Sequence, residues 1–446
     1  MSETFPHVRA QGAATTAALL LLLVIAAGLP GCTDGGSTSA APAETENTLL
    51  VWAGDQAHTA PDFLAVVDFD PASPGYGKVL RTVPLAGPNA YGNEPHHANL
   101  SRDGKTLALG GLLSVLRGQD QVFFFDVGDP RDPQFIRSNN PPGASITDEF
   151  IPLANGGFLV TFMGGGNGAA PGRVVEYDAE QRFVRAWPDD PPAGGFNPHG
   201  IAVDEAHGLM LTSDFICPLR TLHVDGGSSA HLRGAIRVWD LERREITKTI
   251  TVGDPGNPAG TMEVQLIPKD PRQRAYTAGM ADNRLYLVDP QDGTATAVLD
   301  FDGFDIPEAH AMPQLFRLNR QGTRLFVSLN YGGHAGKIVM LDVTRPEQPK
   351  LLDVVDLGPG SGPHFLRLTS DERRLVVSDY FLVEDLTPGG VVMVEGDHRI
   401  HVIDVREDEM ELDPRFDLDF DRDIATGPAR PHGMVLLTAR AGQKSE

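Results

Sequence analysis

The sequence predicts an all-β fold, a seven-bladed β-propeller in which the N- and C-terminal strands share one blade. An apolar strand pattern that ends in aspartate recurs about fifty residues apart along the chain. Each interval holds about four short strand patterns separated by Gly, Pro, Asp or Asn turns, and long amphipathic helical patterns are absent. The recurring aspartates are Asp68, Asp126, Asp178, Asp240, Asp289, Asp342 and Asp404.

A second repeated element is a histidine followed by a strand, a turn and another strand. Its first copy runs from the pair His96-His97 through the Asp103-Gly104 turn. Later copies begin at His199, His310, His364 and His432. Because the copies occupy one place in a structural repeat, we expect these histidines to converge in space.

The two ends of the chain complement each other. The strand after His432 has no partner strands behind it, and the N-terminal strands at 48–52, 63–67 and 78–80 lack an inner strand. Joining them makes one complete blade, shuts the ring and removes open sheet edges. A single propeller domain is therefore expected over residues 48–446.

The first residues have the pattern of an export signal. Residues 13–29 form an apolar run of signal-peptide length, preceded by Arg9, and Leu29-Pro30-Gly31-Cys32 resembles a bacterial lipobox. We expect residues 1–31 to be a lipoprotein-type signal peptide, Cys32 to be lipidated, and residues 32–47 to form a flexible tether. The mature protein would then be periplasmic or anchored to the outer membrane of a Gram-negative-type bacterium. The alternative is an ordinary cleaved signal with a chance cysteine.

Charge and composition limit the classes of partner that the chain is expected to bind. The 446-residue chain has a formal net charge of −23, which disfavours nucleic acid and anionic membrane surfaces. Membrane contact is expected only through the lipid anchor, and a small-molecule substrate is the expected partner. With two cysteines there is no disulfide framework, and Cys217 is either a redox group or a buried, inert thiol. The sequence leaves the oligomeric state open.

The inner strands of the blades carry the candidate site. The first strand of each propeller blade lines the central channel, and its entry end lies near one mouth. The residues expected there are His97 or His96, Glu149, His199, Glu263, His310, His364 and His432. Neutral imidazole suits Zn, Cu, Fe or Ni, so a ring of histidines predicts a transition-metal site. Glu149 and Glu263 would orient ligands or move protons. The alternative is that the histidines only cap strand ends and bond to carbonyls or channel water.

Several segments in order along the chain resemble the selenium-binding protein family, whose members include methanethiol oxidases. The segments are Glu94-Pro95-His96-His97, residues 122–133, residues 339–349, residues 362–378, and residues 412–420 with 427–432. The resemblance implies a propeller, a metal held by histidines, copper in the methanethiol oxidases, and oxidation of methanethiol with O₂ and water to formaldehyde, hydrogen sulfide and hydrogen peroxide. By position, His96, His97 and His432 match the family.

The chain also departs from the family. A cysteine-containing insert after the histidine pair is missing, and Met434-Val435-Leu436-Leu437-Thr438 replaces a Gly-Gly-Asp-Cys tail. Near Asp148-Glu149 a family histidine is replaced. We therefore expect a divergent, exported member, in which binding of selenium or thiols through cysteine is disfavoured.

The resulting hypothesis is a metal-dependent oxidase that resembles methanethiol oxidase and acts on a small sulfur compound at one mouth of the channel. Copper is the expected cofactor, and another transition metal is the alternative. The candidate ligands are His96, His97, His199, His310, His364 and His432. Two other functions stay open, namely a lactonase-like metal-dependent hydrolase and a non-catalytic propeller lipoprotein that binds a partner. A hydrolase with a Ca²⁺ ion would need mostly oxygen ligands, which the histidines disfavour.

Overall fold

The computed structural model describes residues 45–166, 168–218, 232–254, 256–303, 312–330, 336–379 and 396–439, and the backbone of 383–384 and 391–392. All of them belong to one compact unit, Glu44–Glu446. Four predicted features lie outside the described residues: the signal peptide, the lipidation of Cys32, most of the tether, and the candidate ligand His310. In the described part of the chain, no helix has the length and apolar character needed to cross a membrane.

Seven antiparallel sheets make up the fold, and we number them as blades from the N-terminus. From the inner strand outwards, blade 1 consists of Ala429–Leu437, Thr48–Asp55, Phe63–Asp68 and Val79–Pro84; blade 2 of Pro95–Leu100, Thr106–Gly111, Val122–Asp126 and Gln134–Asn139; and blade 3 of Ser145–Pro152, Phe158–Gly164, Arg173–Tyr177 and Phe183–Trp187. Blade 4 consists of Pro198–Asp204, Leu209–Ile216, Leu232–Asp240 and Glu245–Thr251; and blade 5 of Thr261–Leu266, Ala275–Gly279, Arg284–Asp289 and Thr294–Asp300. Blade 6 consists of Met312–Leu318, Arg324–Asn330, Lys337–Asp342 and Lys350–Asp356; and blade 7 of Pro363–Leu368, Arg374–Asp379, Arg399–Val405 and Met410–Leu412, with Leu418–Asp419 also paired to its third strand.

Short elements complete the described residues. Two small hairpins pair Gly253–Asp254 with Asn257–Pro258 and Val383–Glu384 with Val391–Val392. Two 3-10 helices span Ser114–Arg117 and Phe301–Gly303.

The ring closes through blade 1, as the sequence predicts. The C-terminal strand pairs antiparallel with Thr48–Asp55, with Leu50 opposite Val435 and Val51 opposite Met434. The seven inner strands contact one another in cyclic order, and the inner strand of blade 7 contacts that of blade 1. The seven-bladed all-β propeller is therefore confirmed.

The core lies between the blades. Alternate side chains of a strand point to opposite faces, so each blade presents one apolar face to each neighbour. On the second strand of blade 6, Leu325 and Val327 pack towards blade 5, whereas Phe326 packs towards blade 7. A buried apolar cluster of this kind fills each of the seven interfaces between neighbouring blades.

A β-bulge recurs at the entry end of every inner strand. In blade 2, Pro95 pairs with Gly111 but Ala98 pairs with Leu109, so His96 and His97 together face one residue. Equivalent register shifts occur in the other six blades. A bulge bends its strand and redirects the side chains it carries, and bulges are enriched next to active sites. The same distortion is therefore repeated around one mouth of the channel.

Candidate metal centre

The bulges carry the candidate functional side chains. In blade order from blade 1 they hold His432, His96 with His97, Asp148 with Glu149, His199, Glu263, Gln314 and His364. In five blades a proline stands directly before the first of these residues, namely Pro95, Pro198, Pro313, Pro363 and Pro431. Proline donates no hydrogen bond to the ladder, which suits the point where the ladder is interrupted.

Four imidazoles from three consecutive blades form one compact group, which we call the histidine cluster: His96, His97, His364 and His432. Each offers a ring nitrogen, and these nitrogens all lie within 4.8 Å of one another. Nε2 of His97 lies 3.3 Å from Nε2 of His364, and the His96 ring stacks on those of His97 and His432 at centroid distances of 4.3 and 4.4 Å. All four side chains are buried, with at most 3% of the residue exposed. No cysteine belongs to the cluster.

Asp148 joins the histidine cluster to His199. Its Oδ1 lies 3.3 Å from Nδ1 of His97 and 3.2 Å from Nδ1 of His199, and its Oδ2 lies 3.4 Å from Nε2 of His96. His96, Asp148 and His199 thereby form a second group whose ligand atoms lie within 4.8 Å of one another. Burial opposes ionisation of Asp148, but the pKa of this carboxyl is lowered because its negative charge would balance positive charge at His199 or His97.

Burial favours the neutral form of four imidazoles at this mouth of the channel. The pKa values of His97, His364 and His432 are lowered well below the ordinary value, first by desolvation and then by the neighbouring imidazoles. The pKa of His199 is lowered by burial as well. A neutral imidazole has a free lone pair at neutral pH, which is the state that binds metal.

Two side chains act on single ring nitrogens of the histidine cluster. Oε2 of Glu149 lies 2.9 Å from Nδ1 of His97, and Oε1 of Gln314 lies 3.2 Å from Nδ1 of His364. The Gln314 carbonyl accepts from Nδ1 of His364, which keeps the proton there and turns the lone pair of Nε2 towards His97. The Glu149 carboxylate is close to Nδ1 of His97 but is not aligned for a hydrogen bond. The Nε2 atoms of His97 and His364 are the pair that face each other.

Buried polar atoms without hydrogen bonds, in the histidine cluster and beside it, fit the binding of a metal ion. Nδ1 of His97, Nδ1 of His199 and both carboxylate oxygens of Asp148 are buried without an aligned hydrogen bond to any described residue. Buried polar groups without hydrogen bonds are costly, and each one calls for an explanation such as an ion or water. A positive ion among neutral imidazoles and one carboxylate would provide the missing partner.

A second polar layer lies deeper in the channel, beyond Phe365. The Phe365 ring is 5.1 Å from the His97 ring, and the guanidinium groups of Arg317 and Arg367 lie 5.7 and 5.0 Å from the Phe365 ring. Arg317 Nη1 is 3.3 Å from Oε2 of Glu263. Both arginines also donate from Nε to a carbonyl of the next inner strand, Leu366 O at 3.1 Å and Met434 O at 2.9 Å.

Charges in this layer depend on one another. Burial raises the pKa of Glu263 to about 8, and the nearby Glu149 carboxylate adds to the rise while Arg317 opposes it. Burial also lowers the pKa of Arg367 to about 10, and Arg317 contributes. Glu263 is therefore a buried group that exchanges a proton near neutral pH.

The structure brings some of the residues singled out from the sequence together and places others apart. His96, His97, His364 and His432 come together, His199 lies beside them through Asp148, and Glu149 contacts His97. Glu263 lies in the deeper layer against Arg317. In blade 6 the bulge holds Gln314.

Sequence reasoning missed Asp148, Gln314 and the two channel arginines. The strand pattern favours Glu149 over Asp148, because a regular strand directs only one of two consecutive side chains inwards, whereas the bulge here directs both. The proline before each bulge would have identified Gln314, since Pro313-Gln314 matches Pro363-His364 and Pro431-His432. Arg317 and Arg367 occupy the same register as Asn99 and Gln265 on their own inner strands, which marks a shared channel-facing position.

Comparison with known proteins decides the family. A family model described as 56kDa selenium binding protein (SBP56) matches residues 30–443. The chain belongs to this family. Selenium-binding protein 2 of Mus musculus is 25% identical, and methanethiol oxidase of Homo sapiens is 23% identical; each alignment covers 84% of this chain and 89% of the relative.

Solved structures agree with the fold. A hypothetical selenium-binding protein from Sulfolobus tokodaii superimposes with a TM-score of 0.72 at 19% identity, over 91% of this chain and 96% of that one. The periplasmic gluconolactonase PpgL of Pseudomonas aeruginosa superimposes with a TM-score of 0.57 at 13% identity, over 88% of this chain and 99% of that one. At these identities the likeness shows the propeller alone. Within the selenium-binding protein family, relatives named methanethiol oxidase support an oxidase at the level of the family.

Proposed function

We propose that this selenium-binding protein family member is a metal-dependent oxidase of a small sulfur compound, with the histidine cluster as its metal site. The observation that carries the proposal is the convergence of four buried imidazoles within 4.8 Å in a chain whose relatives are named methanethiol oxidase. Imidazole nitrogen without thiolate suits Cu, Zn, Fe and Ni, and copper is the member of that set we propose. His96, His97, His364 and His432 would hold it, with His199 and Asp148 beside them.

Bound copper would supply one-electron redox chemistry and a coordination position for sulfur. The chain itself does the rest. Gln314 fixes the orientation of His364 through its Nδ1 atom, and Glu149 places a carboxylate oxygen 2.9 Å from Nδ1 of His97. Asp148 offers a buried negative charge between three imidazoles, which stabilises positive charge at the site. Glu263, with its raised pKa, exchanges protons with the channel at neutral pH.

Substrate size follows from burial. The four imidazoles are 0–3% exposed, and Phe365 closes the deeper side. Only a compact molecule reaches such a site, and a small thiol satisfies that limit while offering the sulfur atom that copper prefers. Methanethiol is the probe that the family suggests.

The hydrolase alternative has weaker support. The gluconolactonase neighbour shares the fold at 13% identity, which says nothing of its site. A Ca²⁺-dependent hydrolase needs six to eight oxygen ligands, whereas nitrogen donors predominate at this mouth of the channel. The oxidase is therefore the better candidate.

Oxidase activity is tested by measuring O₂ consumption and hydrogen peroxide formation with methanethiol and copper-loaded protein. We expect activity in the wild type and a loss of at least about a hundredfold in His97→Ala, since a metal ligand is removed. His207→Ala is the matched control, because His207 lies in a turn of blade 4 with 64% of its side chain exposed. Equal activity in wild type and His97→Ala, or none in copper-loaded wild type, would reject the oxidase.

Export is a separate proposal. We infer that the chain is a lipoprotein anchored through Cys32, with residues 1–31 as the signal, facing the periplasm or attached to the outer membrane. The apolar run lies before residue 30, where the family match begins. Cell fractionation tests it: wild type should sediment with membranes and Cys32→Ser should not, and a soluble wild type would overturn the anchor.

A further inference from the structure

A third group of metal-ligating side chains lies in blade 7, one strand outwards from the channel. Asp379 ends the second strand, Asp397 lies two residues before the third strand, and His401 lies within the third strand. One ligand atom from each of the three lies within 4.8 Å of the others. Asp379 is fully buried, and the side chains of Asp397 and His401 are 18% and 11% exposed.

Blade 4 has different side chains at the positions that correspond to Asp379 and His401. Asp214 pairs across the ladder with Pro198 before His199, just as Asp379 pairs with Pro363 before His364. Two residues earlier, Thr212 faces Arg237 and Val377 faces His401. Asp379 is therefore the counterpart of Asp214, and His401 that of Arg237.

The two blades differ in charge at this position. In blade 4, Arg237 donates to Oδ2 of Asp214 from both Nε, at 2.7 Å, and Nη2. In blade 7 a histidine replaces the arginine and a second carboxylate, Asp397, is added. Among the described residues, neither Asp379 nor Asp397 has an ion pair with lysine or arginine. A fixed positive charge present in one blade is missing in the other.

Independent features point to an ion at this place. Oδ1 of Asp379 is buried and has no hydrogen-bond partner among the described residues. Oδ2 accepts from the backbone N–H of Asp397 at 2.7 Å, which brings the two aspartates together. A Cβ at Gly396 would overlap Cβ and Oδ2 of Asp379, so only glycine permits this approach.

We propose that Asp379, Asp397 and His401 bind a divalent transition-metal ion, distinct from the ion of the histidine cluster. Two carboxylate oxygens and one imidazole form a mixed oxygen and nitrogen donor set, which suits Zn²⁺ or Mn²⁺ and leaves a position for water. The ion joins the second and third strands of blade 7, as the Asp214–Arg237 pair does in blade 4. Its role is structural, because it replaces a fixed cation of the fold.

The test introduces into blade 7 the arginine that blade 4 has at the corresponding position. His401→Arg places a guanidinium opposite Asp379 and should displace the ion while preserving the fold. Full-length protein is equilibrated with Zn²⁺ by dialysis, and bound zinc is measured in wild type, His401→Arg, and the double variant His97→Ala/His432→Ala, which breaks the histidine cluster. Circular dichroism and the melting temperature report on folding.

We expect His401→Arg to bind one equivalent of zinc less than wild type, and the double variant to keep a zinc ion that is lost when His401→Arg is added. Zinc should raise the melting temperature of the double variant and leave that of the triple variant unchanged. If His401→Arg does not fold, His401→Gln makes the same comparison with a smaller change. Equal zinc content with and without the His401 substitution would overturn the proposal and indicate that the two aspartates share a proton instead.

Discussion

Nε2 of His97 lies 3.3 Å from Nε2 of His364, although 267 residues separate them in the chain. The approach exists because blades 2 and 7 flank blade 1 in the closed ring and carry the same bulge at the same height. Gln314 accepts from the other ring nitrogen of His364, and Oε2 of Glu149 lies 2.9 Å from the other ring nitrogen of His97. Two ring nitrogens can approach this closely only with a proton or a metal ion between them.

Gln314 tunes the site through His364. Replacing it by leucine removes the acceptor at Nδ1, so His364 loses its fixed tautomer, and we predict a fall in copper affinity of about 10- to 100-fold. Gln314→Glu keeps an acceptor and makes it more basic, so affinity should be kept or rise. Competition titration with a chelator of known affinity measures both variants. Equal affinities for the two would show that Gln314 does not act on the metal site.

Asp148 holds three imidazoles around one carboxylate. Asp148→Asn preserves shape but removes the negative charge, so we predict metal affinity to fall about 10- to 100-fold. The matched control is Glu263→Gln, which alters a carboxylate in the deeper layer and should leave metal affinity unchanged. Isothermal titration with Cu²⁺ distinguishes them, and an equal loss in both variants would indicate a general charge effect of the channel.

Without metal, the fold should weaken in mild acid. The folded-state pKa values of His97, His364, His432 and His199 lie below the ordinary 6.5, so below pH 6.5 the unfolded chain binds more protons than the native one. Stability is then fully present above pH 6.5 and falls as the pH drops, by up to about 1.4 kcal/mol per pH unit for each such histidine. Urea unfolding of metal-free protein at pH 7.5 and 5.5 measures this, and His432→Gln should flatten the dependence. A stability that is constant over this range would be inconsistent with buried neutral imidazoles.

The prediction for Glu263 has the opposite sign. Its folded-state pKa of about 8 exceeds the ordinary 4.5, so between these values the native state holds a proton that the unfolded state has lost. Its contribution to stability is present below pH 4.5 and declines as the pH rises through 8. Glu263→Gln mimics the protonated form, so it should be more stable than wild type at pH 9 and equal to it at pH 4.5, as measured by urea unfolding. A variant that is less stable at pH 9 would show that Arg317 keeps the carboxylate ionised.

Gly433 allows the close approach of blades 1 and 2. A Cβ at this position would overlap the carbonyl oxygen of His96 and contact Ala98. We predict that Gly433→Ala costs about 1–3 kcal/mol of unfolding free energy and weakens metal binding, because relief of the clash displaces the backbone of His96. Gly194→Ala is a suitable comparison, since nothing lies within 4 Å of its Cβ position and its φ is outside the left-handed region. If a destabilised Gly433→Ala variant binds metal as tightly as wild type, the predicted effect of this glycine on the metal site is wrong and Gly433 matters for stability alone.

The repeat in the sequence was sufficient for the ring and for much of the site. Seven similar units must close on themselves, so histidines at equal places in the units converge, as His97, His364 and His432 do. The bulge cannot be predicted from residue type alone. It directs two consecutive side chains inwards, so that Asp148 lies beside Glu149 at the site. Matching copies by histidine also led to His310 in blade 6, whereas the preceding proline leads to Gln314.

The central claim is that the four imidazoles of the histidine cluster bind one copper ion. Electron paramagnetic resonance of the Cu²⁺-loaded full-length protein tests it most directly, because coordinated imidazole splits the signal through its nitrogen nuclei. We predict one equivalent of Cu²⁺ with nitrogen splitting that is lost in His97→Ala/His432→Ala and kept in His207→Ala. A spectrum without nitrogen splitting, or one that the double substitution leaves unchanged, would contradict the account.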